Sequence, residues 1–347
     1  MICPLCDVAH DPVAGCPLAD PALYDDEPTD LMDRASLDEL GSLVGVVLDG
    51  KYEVLELLGF GAVGRVYRAR QESLRRHVAI KVLRQSFADA PRVQERFLQE
   101  ARAVGRVEHD NVVQIYDAGL TETELPYLVM ELVEGEPLTA RIAREGRLRL
   151  YEVLHLGAQV LAGLEQAHRA GVVHRDVKPD NVLVASDDVA KIVDFGVARL
   201  EATDAQLTQR GEVLGTPAYL SPEQAVGTRV DAKADAWAAS VLLYEMATGR
   251  RPFEGKQFME ILTSVMTAEP LPPSAHAPDL PAAFDRLVLS GLEKDPDLRA
   301  DVSALAIQVH QLLGRVARLE MRDTRLATAR RGSLAETVAE ASEPEPE

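Results

Sequence analysis

The sequence predicts an α+β fold with its strands first and its helices after them. Runs of strand character fall at 52–58, Arg65 to Arg70 and Tyr127 to Glu134, each bordered by glycine. A single helical period, Pro91 to Val107, interrupts them. Long helical patterns then take over at Tyr151 to Ala170 and Asp231 to Thr248. The second of these is apolar on nearly every face (Ala234, Ala236, Trp237, Val241, Leu242, Leu243, Met246), the pattern of a helix in the middle of a domain.

The 347 residues suffice for one large or two medium domains plus tails, and 46% apolar residues suffice for a core. A formal net charge of −19 argues against a general nucleic-acid binder. No apolar run approaches the ~20 residues of a membrane span. Met1-Ile2-Cys3-Pro4 does not read as a signal peptide, so a cytoplasmic protein is expected. All three cysteines fall at or before Cys16, which fits a reducing compartment and sets that segment apart.

Residues 1–18 carry Cys3, Cys6, His10 and Cys16, a CxxC pair followed by an imidazole and a third thiol. Tetrahedral zinc takes such three-cysteine, one-histidine sets. A segment this short does not fold by burial, so metal would supply its stability. The prediction is a closed structural or docking knuckle; the competing reading is an unfolded leader with incidental thiols. Residues 19–47 are acidic with scattered prolines and read as a linker, with one short helix around Leu31 to Leu40.

Gly59-Phe60-Gly61-Ala62-Val63-Gly64 is a GxGxxG run, a weak signal alone because dinucleotide-binding turns share it. A Rossmann turn opens a helix and meets an acid about 20 residues on. Here a second strand-like run follows, and the residue at the matching distance is Lys81. Glycines in a strand–turn–strand let backbone amides close over phosphates without a Cβ in the way.

Between Pro91 and Val107, the residues Val93, Phe97, Ala101, Val104 and Val107 form one stripe, and Glu100 falls inside it. A carboxylate on a buried face is costly unless paired, and Lys81 is the candidate partner. Val153, Leu156, Val160, Leu164 and Ala167 line one face of the next helix, with Gly171 as its stop.

That helix delivers the chain to His174-Arg175-Asp176-Val177-Lys178-Pro179-Asp180-Asn181, answered by Asp194-Phe195-Gly196. Moving a phosphoryl group needs a base for the attacking hydroxyl, positive charge over the phosphate, and oxygen ligands for magnesium. Asp176, Lys178, Asn181 and Asp194 are those residue types. With the glycine turn and Val78-Ala79-Ile80-Lys81 upstream, the chain from about Leu48 to about Leu313 resembles the protein kinase family, in the Ser/Thr branch built like eukaryotic kinases that bacteria also carry.

The resemblance implies a two-lobed kinase fold: a small β-rich lobe with one helix (48–130) and a large, mainly helical lobe (134–313). It implies ATP in the cleft. Leu58, Gly59, Phe60, Gly61, Ala62, Val63, Gly64, Val66 and Ala79 would surround base and phosphates, and Met130 would sit behind the adenine. The backbones of Glu131 and Val133 would meet its edge, while Lys81, paired with Glu100, would hold the α- and β-phosphates. Asp176 would accept or orient the substrate hydroxyl proton and Lys178 would steady the transferring phosphate. Asn181 and Asp194 would hold magnesium, with manganese the alternative. Lys178 two residues past Asp176 favours Ser/Thr over Tyr specificity.

Further implications concern the segment from Asp194 to Glu223. Arg175 would receive a phosphate from it, at Thr208 in preference to Thr203, and Thr216 would bridge Asp176 and Lys178. Ser221 stands where the family usually has alanine. Glu223 is expected to pair with Arg299, and Asp235 to accept bonds from the backbone of the catalytic turn. His109-Asp110-Asn111 departs from the usual His-Pro-Asn without touching the chemistry.

Leu305, Val309, Leu312, Val316 and Leu319, with Leu326 beyond, continue a helix past the family's normal end. It packs back onto the large lobe or forms a short helical dimer. Residues 314–347 thus read as a helical extension and a disordered acidic tail, in which Arg330-Arg331-Gly332-Ser333 resembles a basophilic phosphorylation site. The expected function is transfer of the ATP γ-phosphate to Ser or Thr of protein substrates, the protein itself included. Two other classes stay open. A catalytically inactive scaffold is opposed by the presence of Lys81, Glu100, Asp176, Lys178, Asn181 and Asp194. A small-molecule kinase is opposed by Gly215 to Glu223, which resembles a platform for a peptide.

Overall fold

The computed structural model describes residues 43–61, 64–84, 91–195, 217–228 and 230–319. Cys3, Cys6, His10, Cys16, Ala62, Val63, Thr203, Thr208, Thr216, Leu326 and Ser333 lie outside the described residues. Met1–Val46 separates as one unit, of which a turn at 43–46 is described, and Val47–Glu347 forms the other.

Among the described residues a six-stranded antiparallel sheet comes first. Its strands are β1 (Val47–Leu48), β2 (Tyr52–Phe60), β3 (Gly64–Gln71), β4 (Arg76–Leu83), β5 (Ile115–Leu120) and β6 (Pro126–Glu131), in the order β1-β2-β3-β4-β6-β5. In β2 and β3 the buried residues alternate (Tyr52 and Val54; Tyr67 and Ala69), as a strand with one covered face requires. β4 sits between β3 and β6 and buries Val78, Ala79, Ile80, Val82 and Leu83, which leaves half-buried Lys81 as the polar residue of its central run.

Gly64 shows why a glycine ends the β2–β3 turn. A Cβ there would lie 2.2 Å from the Val82 carbonyl oxygen on β4, whereas nothing lies within 4 Å of one on Gly59 or Gly61. Gly64→Ala is therefore expected to lower stability by about 1–3 kcal/mol, the range for forced overpacking. Gly59→Ala should change it far less. Paired thermal melts check the contrast, and equal melting temperatures would refute it.

α1 (Pro91–Val104) packs on β5 and β6, with Phe97 and Ala101 in one buried cluster with Leu128 and Met130, while Val104 joins the core of the helical half. The helix ends three residues before the expected Val107. Arg106 N donates to Ala103 O (3.2 Å) and Val107 N to Val104 O (2.8 Å), tightening the last turn so that Val107 is buried without being helical. The expected strand from Tyr127 also stops early: β6 closes at Glu131, and Gly135 opens a separate strand.

That strand, β7 (Gly135–Pro137), pairs with β8 (Val182–Ala185), which pairs with β9 (Ala190–Ile192). The helices of this half are α2 (Leu138–Glu145), α3 (Leu150–Arg169), the short α4 (Pro222–Ala225), α5 (Ala232–Thr248), α6 (Phe258–Thr267), α7 (Ala282–Gly291) and α8, over 302–319. α5 is central, as its all-round apolar pattern demands. It starts where the Asp231 side chain accepts from Lys233 N (2.8 Å) and ends at Gly249, whose φ of 70° suits glycine. Trp237 on α5 is fully buried, stacks on Phe253 (5.4 Å, 7°), and has the Lys294 ammonium 4.9 Å and the Arg299 guanidinium 5.1 Å from its ring. On α8, Leu305, Val309 and Leu312 are in the same core with Val316 packed against it, while Leu319 is exposed. No helix among the described residues is long and apolar enough to cross a membrane.

Candidate active site

The site is built on the turn between α3 and β8, closed by the chain leaving β9. Ala170 and Gly171 end α3, and buried Val177 and Pro179 anchor the turn that follows. Asn181 Nδ2 donates to Asp176 O (2.8 Å) and Oδ2 (3.0 Å), and Lys178 Nζ donates to the same Oδ2 (3.0 Å). Both partners of the Asn181 amide nitrogen are acceptors, which fixes the amide's orientation and turns its Oδ1 away from Asp176.

His174 locks the turn from beneath. Its Nε2–H donates to Val193 O (3.0 Å), so Nδ1 is the atom that accepts from Asp176 N (3.2 Å). Its ring lies 4.5 Å from that of Phe195, which is buried in the core of the helical half. Val193 N donates to Asn181 O (2.9 Å), tying the approach to Asp194 to the turn.

Two non-glycine residues here have left-handed backbones, Arg175 at φ 66° and Asp194 at φ 56°. Such conformations cost of order 1–3 kcal/mol and persist where the surroundings over-determine them. Asp235 does so for the first. Its fully buried carboxylate accepts from Arg175 N (2.7 Å), His174 N (2.8 Å) and His168 Nε2 (2.7 Å). The two backbone bonds match the expectation from the resemblance; His168, on the last turn of α3, adds a third partner that the sequence does not signal.

Lys81 Nζ stands 2.8 Å from Asp194 Oδ1, and their side chains are 16% and 35% exposed. Burial pushes the Asp194 carboxyl up, but Lys81, with Lys178 adding to it, outweighs burial and holds it below the usual carboxylate range. Asp194 is thus ionised at neutral pH. Glu100 is half-buried on α1. The hard oxygens of Asn181 and Asp194 are the donor chemistry magnesium prefers, so these residues fit that ion.

On the other wall, Ala79 and Met130 are buried in one cluster, with Val66, Val133 and Val193 packed against it. Val193 packs against the same cluster as Ala79 and Met130; a lone valine before Asp194 carries no signal in the sequence of which way it faces. Leu58 and Phe60 are instead largely exposed. Glu131 N donates to Gln114 O (2.9 Å), and its carboxylate pairs with Lys191 on β9 (2.9 Å).

The chain re-enters the site at α4. Glu223 and Arg299 form the expected pair, two-pronged at 2.6 and 2.9 Å and buried. Ser221, in the family's alanine position, is fully buried and caps α4: its Oγ accepts from Gln224 N (3.4 Å), and its N donates to Gln224 Oε1 (3.0 Å). Gln224 Nε2 in turn donates to Arg175 O (2.9 Å).

Residues 52–312 match the family model for the protein kinase domain. Among curated proteins, the chain is 40% identical over 262 residues to serine/threonine-protein kinase pkn3 of Myxococcus xanthus, covering 73% of this chain and 48% of that protein. It is 38% identical over 271 residues to serine/threonine-protein kinase PknB of Mycobacterium tuberculosis, covering 76% and 43%. Among solved structures, the kinase domain of Mycobacterium tuberculosis PknI aligns with a TM-score of 0.64 at 26% identity, over 78% of this chain and 99% of that one. The chain spans less than half the length of these curated relatives. The matched span and these relatives, taken with a sheet lobe and a helical lobe meeting at Lys81 and Asp194, make the chain a member of the protein kinase family, of the bacterial serine/threonine type.

Proposed function

We propose that the protein transfers the γ-phosphate of ATP to serine and threonine hydroxyls of protein substrates, itself included. The observation that supports this most is the convergence of Asp176, Lys178 and Asn181 in one hydrogen-bonded turn beside the Lys81–Asp194 pair. Asp176 orients the hydroxyl and accepts its proton, held in place by Lys178 and Asn181. Lys178 offsets charge on the transferring group. Asn181 through Oδ1 and Asp194 would hold magnesium, which when bound neutralises phosphate charge. Lys81, partnered by Glu100, holds the α- and β-phosphates. Val66, Ala79, Met130 and Val193 wall the base. The amide of Glu131 is already bonded to Gln114, so contact with the adenine edge falls to its carbonyl and to Val133.

Arg175 keeps a buried Nε without a hydrogen-bond partner among the described residues, which suits a phosphate brought by Thr208. The test is labelled ATP with the full chain, magnesium and a protein acceptor. Phosphoserine and phosphothreonine are expected on the protein itself and on the acceptor. Nucleotide binding without any labelling would leave the scaffold reading standing, and label on small molecules alone would favour the other.

We also propose that Cys3, Cys6, His10 and Cys16 bind structural zinc. Metal analysis of purified protein is expected to find zinc in equal ratio to chain. Its absence, with all three thiols titrating freely, would overturn the assignment.

A further inference from the structure

We infer that Gln224 is a positioning residue for Asp176, a role that rests on the phosphotransfer reading above. The peptide unit between Arg175 and Asp176 carries the Cα of Asp176, so its orientation sets where that carboxylate points. This peptide is bonded at both ends: Arg175 O accepts from Gln224 Nε2 (2.9 Å), and Asp176 N donates to His174 Nδ1 (3.2 Å). The preceding residue is in the left-handed region at φ 66°, and rotation of this peptide would act on the ψ of Arg175 and the φ of Asp176 while leaving that φ as it is. Arg175 N is held separately by Asp235, which fixes the other side of the residue and not this peptide.

Gln224 is itself held against movement. Its Oε1 accepts from Ser221 N (3.0 Å) and Ser221 Oγ (3.3 Å), so its amide nitrogen has one direction left, toward Arg175 O. The neighbouring Glu223 is clamped by Arg299, and Thr228 N and Oγ1 both donate to Glu223 O (3.0 and 3.1 Å). α4 therefore offers a rigid mount, and one side-chain amide carries that rigidity across to the turn. Cap and link share a residue but use different atoms, and substitution can separate them.

Gln224→Glu keeps both acceptor contacts with Ser221 and sets an oxygen, in place of a donor, against Arg175 O. Ser221→Ala removes the capping hydroxyl and leaves the donor to Arg175 intact. For Gln224→Glu the expected result is a kcat about tenfold lower with an unchanged KM for ATP and a melting temperature within about 2 °C of wild type. For Ser221→Ala it is a lower melting temperature with kcat within about twofold. Gln224→Met, of similar length and without a donor, should reproduce the loss of kcat if Gln224→Glu does not fold. Wild type and Asp176→Asn run beside them as full chains. An active wild type with an equally active Gln224→Glu would overturn this inference alone, as would activity losses that simply follow the melting temperatures. An inactive wild type would overturn the proposed function and this inference with it.

Discussion

Asp176→Asn is expected to lower phosphotransfer by a factor on the order of 10³, within the usual range for losing a positioned general base. The substitution is nearly isosteric. The new side chain keeps an oxygen to accept from Lys178 Nζ and Asn181 Nδ2, now 3.0 Å from Asp176 Oδ2, so the turn keeps its shape. It loses the capacity to take a proton from an incoming hydroxyl. Nucleotide affinity should be nearly unchanged, because Lys81 and Asp194 are untouched, and so should the melting temperature. Labelled-ATP kinetics beside a nucleotide titration measure both. A kcat within tenfold of wild type would place the base elsewhere.

Arg299→Ala carries the largest expected effect on stability. It strands the Glu223 carboxylate in the interior and removes donors from the carbonyls of Lys233, Glu293 and Lys294, at 3.0, 2.9 and 3.1 Å. Breaking one side of a buried pair costs about 3–5 kcal/mol. In a domain of this size that corresponds to a melting temperature lower by on the order of 10 °C. The pair also sets a pH dependence. Burial pushes the Glu223 carboxyl up, but the bonds and charge of Arg299, together with a backbone bond and Ser221, outweigh it, so its folded value lies below the usual one. A depressed carboxylate stabilises the fold above its unfolded pKa, and that contribution is lost as pH falls through the folded value. Glu223→Gln should therefore be less stable at neutral pH and lose less on acidification than wild type. Denaturant titrations at neutral and acid pH would expose the difference, and parallel losses in both proteins would contradict it.

What could be read from the sequence was what is local or periodic. Asp176, Lys178 and Asn181 share one turn, so their types and spacing alone declare their meeting. Phe97, Ala101 and Val104 declared a helix face in the same way, and Val153 to Ala167 another. The Lys81–Asp194 contact joins β4 to the chain leaving β9 and depends on how the two lobes close. His168 reaching Asp235, and Val193 packing against the cluster of Ala79 and Met130, likewise depend on how helices and strands are turned against each other. Strand ends are obscure because apolar residues continue on both sides of Glu131 from Tyr127 to Val133, whereas the strand itself closes at Glu131. Ser221 and Gln224 are a different kind of miss. Ser-x-x-Gln is a capping signature legible in any sequence, but against the family pattern Ser221 reads first as a departure from alanine.

Trp237 is the chain's single tryptophan, and its place beneath two cations beside the Glu223–Arg299 pair gives the molecule a built-in optical probe. Indole emission will report the helical half alone, since the aromatic residues buried in the sheet half include Tyr52, Tyr67 and Tyr127 and none is an indole. Followed together with backbone dichroism during unfolding, it can tell whether the halves melt as one body or in succession without any label being attached.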